Sequence, residues 1–372
     1  MKINTITCHH VYNYGATLQA YALQHYLEQQ GHEVEIINYR PFYQRGQYDL
    51  FYVIPGSKGE KWARKCKLIA FLFALYRNRV NFRTWGRKKS FGLFNQQFLK
   101  TTSKQYNTLE ELQNKPPQAD MYIAGSDQIW NPELPNGQDG SFFCDFGGDN
   151  IKRYSYAASF GVNNIADSLL PPYQKFLQKF NKISVREKSG LNILNMLHFK
   201  GIQVVDPVFL LSKEEWIENL QLSRTAHENY IMVYDFHHNN DNLKELVLKL
   251  AHNERLKIYS VNDILPLGYA DRNISNAGPK EFLNYLLNAQ YVVSSSFHAT
   301  SFSIIFNKSF GVFGLKEQQN SSRMTDLLQL LGLEERFSPQ NIETLQADVD
   351  WNLVKSKLSI SIKKSKDYLS TL

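Results

Sequence analysis

The sequence has no hydrophobic run long enough to cross a bilayer, and its first residues, MKINTITCHH, lack the apolar core of a secretory leader. Cysteine is scarce. Cys8, Cys66 and Cys144 stand apart without CxxC spacing, which argues against a disulfide framework or zinc site and reads as reduced thiols in a cytosolic protein. No GxGxxG fingerprint, internal repeat or low-complexity segment is present, so neither a dinucleotide site of that type nor a solenoid is expected. Core material is ample: 43% hydrophobic and 13% aromatic residues over 372 positions suffice for two compact domains. The net charge of +7 favours an anionic partner without specifying one.

The most informative stretch is 278–314, GPKEFLNYLLNAQYVVSSSFHATSFSIIFNKSFGVFG. Pro279 opens a helix with Phe282, Tyr285 and Leu286 at helical spacing. Residues 291–294 form a β-branched and aromatic run, and Ser294, Ser295 and Ser296 then make a polar turn before an apolar helix over 299–306. A second buried strand follows over 310–313. This helix–strand–loop–helix–strand order is that of a parallel α/β sheet, whose ligands sit beyond the carboxyl ends of the strands. His298 falls at such an end, on a helix start whose free N–H groups suit an anion. The plainer alternative is a histidine that only packs the turn.

The chain opens in the same grammar. A strand over 2–7 leads through HHVYNYGA to a helix with Leu18, Tyr21, Ala22 and Leu27 near one face, and Gly31 ends it. Gly15 reads as the point where a ligand or the facing domain approaches the helix start. Asp127 follows the strand 121–124 in DMYIAGSDQIWN, either as a cleft carboxylate or as a helix cap. Arg186 ends the strand in ISVREKSG, as a structural ion-pair partner or as a clamp for carboxylate or phosphate. A domain boundary is expected near 190–205, giving domains over 1–195 and 196–345 and a C-terminal helix over 346–372. That helix is expected to turn Leu353, Leu358, Ile362 and Tyr368 inward. Residues 61–89 contain ten Lys or Arg and no acidic residue around the apolar run 68–76. They form either a basic face on an inward-packing helix or a peripheral contact with an anionic membrane. No nucleic-acid module accompanies the charge, so nucleic acid is not an expected partner.

Seven stretches, NYGATLQAYALQ, AGSDQIWNP, YAASFG, SVREKSG, VVDPVFLL, NAQYVVSSSFHATSFSIIFNKSFGVF and SSRMTDLLQLLGL, resemble the polysaccharide pyruvyl transferase family in order across most of 13–333. The resemblance implies a GT-B-like α/β fold, two Rossmann-like domains with parallel sheets facing across a cleft. It also implies transfer of a pyruvyl group from phosphoenolpyruvate to two sugar hydroxyls, giving a cyclic ketal in bacterial surface polysaccharide, with no cofactor and no metal. Residue by residue, it implies His298 and Asp127 as catalytic and Arg186, Ser295, Ser296, Lys316 and Arg323 as donor-binding. Asn13, Tyr14 and Gly15 fall on the acceptor side. Many members carry an arginine two residues before the histidine, where this chain has Ser296; Lys316 or Arg323 is left to supply that cation. The acceptor is a sugar, free or lipid-linked, and the setting cytoplasmic, peripheral at the membrane if 61–89 bind lipid. A GT-B glycosyltransferase using a nucleotide sugar and a non-catalytic assembly protein of the same fold are the rival expectations.

Overall fold

The computed structural model describes residues 1–45, 85–223, 228–236, 238–262, 266–314 and 322–372. In the first half, strand β1 (Lys2–Ile6) is followed by helix α1 (Tyr14–Gln29), β2 (Glu33–Ile36), helix α2 (Trp85–Phe98), β3 (Met121–Ala124) and β4 (Lys152–Ser155). These strands form a parallel sheet in the order β2-β1-β3-β4. Helix α3 (Leu170–Leu177), β5 (Ser184–Val185), helix α4 (Lys188–Met196) and β6 (Ile202–Gln203) complete this half. Isolated parallel bridges Tyr154–Lys182 and Ala158–Val185 join the β5–β6 pair to the sheet. β6, which pairs with β5, falls inside the stretch 190–205 where the boundary is expected.

The second half is one parallel sheet, β11-β10-β7-β8-β9. Its elements are β7 (Tyr230–Tyr234), α5 (Asp241–Glu254), β8 (Lys257–Val261), β9 (Arg272–Ile274), α6 (Pro279–Asn288), β10 (Tyr291–Ser294), α7 (Phe297–Ile305) and β11 (Ser309–Val312). Then come α8 (Ser322–Leu331) and the C-terminal α9 (Trp351–Leu369). The architecture is the expected GT-B-like α/β pair. Its strands bury both faces, as parallel strands flanked by helices must. Met121 and Ile123 point into one core and Tyr122 and Ala124 into another; Met232 and Tyr234 alternate likewise with Ile231 and Val233.

One of these cores is shared by both halves, and α1 supplies its centre. Tyr14, fully buried, stacks on Phe282 at 4.3 Å and on Phe91 at 5.3 Å, and its hydroxyl donates to the Ala277 carbonyl at 3.1 Å. The Arg87 guanidinium lies 4.3 Å above the same ring and donates to the Tyr12 carbonyl at 2.8 Å. Trp216 meets Tyr21 from the first half and Phe302 from the second. Helix α9 straps back across the join: Tyr368 donates to the Ser155 carbonyl at 2.9 Å, and Ser365 Oγ accepts from Val205 N at 2.9 Å.

Three expectations change here. Leu353 is 52% exposed, and the inward side of α9 is Val354, Leu358, Ser365, Tyr368 and Leu369, a face set by where the helix crosses both halves. Of the basic segment, 61–84 lie outside the described residues. Arg87 is only 2% exposed and belongs to the interdomain core, so it is not a headgroup contact. Tyr14, with both ring faces and its hydroxyl engaged, has no surface to offer an acceptor.

Candidate active site between the two switch points

In a doubly wound sheet the strand order reverses where successive crossovers leave in opposite directions, and a crevice opens there beyond the strand ends. The first sheet reverses between β1 and β3, the second between β7 and β10. The segments leaving those four strands face one another. They enclose a cleft of about 190 Å³ lined by Asn13, Asp127, Phe236, Ser295, Ser296 and His298, with Phe297 and Arg323 on its rim.

Asn13 leaves β1 and caps α1, its Oδ1 accepting from Ala16 N at 3.2 Å. Asp127 leaves β3 with φ of 71°, a left-handed conformation that aspartate tolerates better than most residues. Its carbonyl accepts from Ile129 N at 2.7 Å and Ser159 N at 3.0 Å, which fixes the residue, and its carboxylate is about one-fifth exposed. It caps no helix.

The serines stitch the second half's two strand ends together. Ser295 Oγ donates to Asp235 Oδ1 at 3.0 Å and accepts from Phe236 N at 3.1 Å. Ser296 is the N-cap of α7 and accepts from Ala299 N at 3.4 Å. Both line the cleft, but their hydroxyl oxygens are engaged in building its wall. His298, two residues into α7, is 8% exposed. Its Nε2 faces Asp206 Oδ2 at 3.4 Å. That separation is long for a hydrogen bond, and Nε2 has no well-aligned partner among the described residues. On its other side the imidazole touches α1 so closely that a Cβ on Gly15 would lie 2.0 Å from Nδ1. Gly15 therefore serves the approach of the facing half, and the space a side chain would take there is filled by His298.

Arg186 leaves β5 almost wholly buried. Nη1 donates to Asp206 Oδ2 at 2.7 Å, Nη2 lies 3.6 Å from Asp127 Oδ1, and Nε lies 3.9 Å from Glu187 Oε2. Burial works against its charge, but the three carboxylates more than offset that and raise its pKa. Nε and Nη2 still lack a well-aligned acceptor. Its guanidinium stacks on Phe297 at 4.8 Å, and Arg323 lies over the same ring at 5.9 Å. Burial and then the neighbouring Arg186 push the Arg323 guanidinium down to about 10, so it stays charged at neutral pH. Two close arginines with unsatisfied buried donors are an arrangement that an anion would complete.

Arg186 and His298 do not line the same space. Arg186 and Asp206 face a second, larger cavity of about 360 Å³ that reaches Leu327 on α8 and Lys364 on α9. Phe297 and Arg323 border both cavities. The larger cavity touches neither His298 nor Asp127, so chemistry by those groups belongs to the smaller one. Lys316 lies outside the described residues.

Sequence reading places Asp206 at the exit of the first domain and gives it no part in the site, yet its carboxylate faces both Arg186 and His298. The signal was the Asp-Pro pair directly after the β-rich VV run, at a strand end. Burial pushes this carboxyl up, but His298 and Arg186 outweigh it and hold it well below the usual carboxylate range. Among the described residues, no group of three or more His, Cys, Asp or Glu side chains is placed to hold a metal ion.

The fold and cleft define a two-domain α/β protein with its site between facing strand ends. The family model for polysaccharide pyruvyl transferase matches residues 13–317, and the chain belongs to that family. No curated protein matches it in sequence. Similar solved structures include UDP-GlcNAc 2-epimerase from Neisseria meningitidis, at 9% identity and TM-score 0.45, over 98% of this chain and 100% of that one. The Methanocaldococcus jannaschii UDP-GlcNAc 2-epimerase complexed with UDP-GlcNAc and UDP is 12% identical with TM-score 0.47, over 96% and 93%. E. coli heptosyltransferase WaaC with ADP is 14% identical with TM-score 0.40, over 97% and 100%.

Proposed function

We propose that this protein moves the pyruvyl group of phosphoenolpyruvate onto two hydroxyls of a sugar, forming a cyclic ketal in bacterial surface polysaccharide. The observation that carries this reading is the meeting of His298, Asp127 and Arg323 at one cleft between the two switch points, in a chain of this family. The donor carries a carboxylate and a phosphate. Arg323, with Arg186 behind Phe297, supplies positive potential for them, and the start of α7 adds N–H groups.

His298 delivers a proton to the methylene carbon, which leaves an oxocarbenium-like C2. A sugar hydroxyl adds there and gives its proton to Asp127. Phosphate then leaves, taking the proton held by Asp127; the second hydroxyl closes the ring, and its proton restores His298. Donor and diol thus become ketal and inorganic phosphate. No cofactor enters the scheme. The sugar is free or lipid-linked. A cytoplasmic setting with membrane contact through the basic segment 61–89, Arg87 excepted, belongs to the same proposal and rests on the charge pattern of that segment; no helix among the described residues is long and apolar enough to cross a membrane.

Thermal unfolding with phosphoenolpyruvate and with a panel of nucleotide sugars separates this from the glycosyltransferase reading. A ligand at a hundredfold excess over Kd stabilises by about 2.7 kcal/mol. Stabilisation by phosphoenolpyruvate, with phosphate release and a sugar product heavier by a pyruvyl ketal in the mass spectrum, is the expected result. Stabilisation by a nucleotide sugar alone would refute it.

A further inference from the structure

The two nitrogens of His298 lie in different surroundings. Nε2 is buried and faces Asp206, and Nδ1 abuts Gly15 at the start of α1, in a side chain that lines the cleft. We infer that Asp206 is the positioning residue that sets the tautomer of His298, making Nδ1 the nitrogen that exchanges a proton with substrate. The inference rests on the proposed role of His298 and assigns that role to one atom.

Asp206 is built to hold still. It sits where the chain passes from the first half to the second, and Pro207 after it locks the backbone into a short 3₁₀ turn, Pro207–Leu210. Oδ1 accepts from Val208 N at 3.1 Å, and Oδ2 accepts from Arg186 Nη1 at 2.7 Å. The carboxylate has no exposed surface. With both oxygens used as acceptors toward fixed donors, it has no proton of its own to offer. An acceptor-only oxygen opposite Nε2 favours the tautomer with hydrogen on Nε2. The lone pair of the neutral ring then sits on Nδ1, and so does the second proton of the charged ring. The 3.4 Å separation is of the kind that tightens once substrate fills the cleft.

The arrangement also joins the halves. Arg186 comes from the first and His298 from the second, and both meet on Oδ2. A buried charged oxygen shared in this way holds the acid in register with Arg186.

The test uses the full chain labelled with ¹⁵N-histidine and long-range proton–nitrogen correlation, with His298 assigned by the signals lost in His298→Gln. In the wild type the neutral ring should carry its proton on Nε2. In Asp206→Asn the charge that favours this form is gone, so the Nδ1–H form should become populated. Turnover should fall roughly 10²-fold while the phosphoenolpyruvate KM changes less than threefold. A wild-type ring protonated on Nδ1 would overturn the inference, even if Asp206→Asn fails to fold. So would an Asp206→Asn protein with unchanged tautomer and turnover. If the wild type transfers no pyruvyl group, the functional proposal fails, and the tautomer measurement still decides whether Asp206 positions the ring.

Discussion

Gly15→Ala is the sharpest perturbation of this site that leaves every proposed catalytic group in place. Gly15 lies in the first turn of α1, where alanine gains up to about 1 kcal/mol in helix propensity. Local propensity therefore predicts stabilisation, and tertiary contact predicts the reverse. The new Cβ would lie 2.0 Å from His298 Nδ1, 2.3 Å from Cγ and 2.6 Å from Cε1. Ordinary contact begins near 3.4 Å, so the ring or the helix must move about 1.4 Å. The ring cannot simply retreat, because Asp206 stands behind Nε2 and Phe297 packs beside it with ring centroids 5.3 Å apart. Overpacking of this kind costs about 1–3 kcal/mol, which exceeds the propensity gain. Misplacing a catalytic group by about 1 Å costs roughly 10² in rate. Calorimetric unfolding and phosphate-release kinetics should thus show a lower Tm and a kcat reduced about a hundredfold. Gly92→Ala in α2, where an added Cβ meets nothing, is the control and should be neutral or stabilising. A Gly15→Ala protein with wild-type Tm and turnover would show that His298 does not occupy this position against α1, and the site geometry would fall with it.

His298→Ala should lose roughly 10²–10⁴ in kcat with the far-ultraviolet circular dichroism unchanged; near-normal kcat at saturating substrates would leave the residue a mere packing group. Arg186→Ala should destabilise by about 3–5 kcal/mol in denaturant titration, since it strands Asp206, Glu187 and Asp127 without their shared cation. Arg186→Lys should restore stability only in part, because a point charge cannot reproduce the fork, and equal stability of the two proteins would contradict the ion-pair geometry. Asp206 has a folded pKa depressed below its unfolded value of about 3.9, so its stabilising contribution is complete above that value and is lost progressively as pH falls from it through the lower folded value. Acid titration of Asp206→Asn should accordingly show a shallower loss of stability below about pH 4 than the wild type, and parallel curves would argue against the pairing. Vesicles containing anionic lipid should retain the protein at low salt and release it as salt rises, with Arg64, Lys65 and Lys67 changed to glutamine reducing retention. Equal flotation with neutral vesicles would remove the basic segment from the account.

Much of the fold was legible because its signals are local. The run Tyr291–Ser294 is a strand at the bounds its β-branched and aromatic residues suggest, and so is Met121–Ala124. Pro279 opens a helix, and Gly31, at φ of 82°, follows one as its lack of a Cβ allows. The placement of Asp127, Arg186 and His298 at element ends follows from the same patterns, since parallel strands end where loops must carry polar groups.

What the sequence could not determine is which element ends meet. Arg87 reads as one more cation in a basic run, yet it is buried, because Tyr14 and Phe91 present their ring faces to it from two helices. Leu353 and Val354 are both apolar, and only the crossing of α9 over the two halves turned Val354 inward and left Leu353 outside. Asp206 and His298 are distant in sequence, and no spacing rule brings an Asp-Pro turn of one half onto a helix start of the other. Helical and strand periods report how one element divides itself between core and solvent. The shared oxygen at Asp206, the glycine under the imidazole and the arginine pair astride Phe297 arise from packing between halves, which is non-local and is settled only when both sheets are folded and joined through α1.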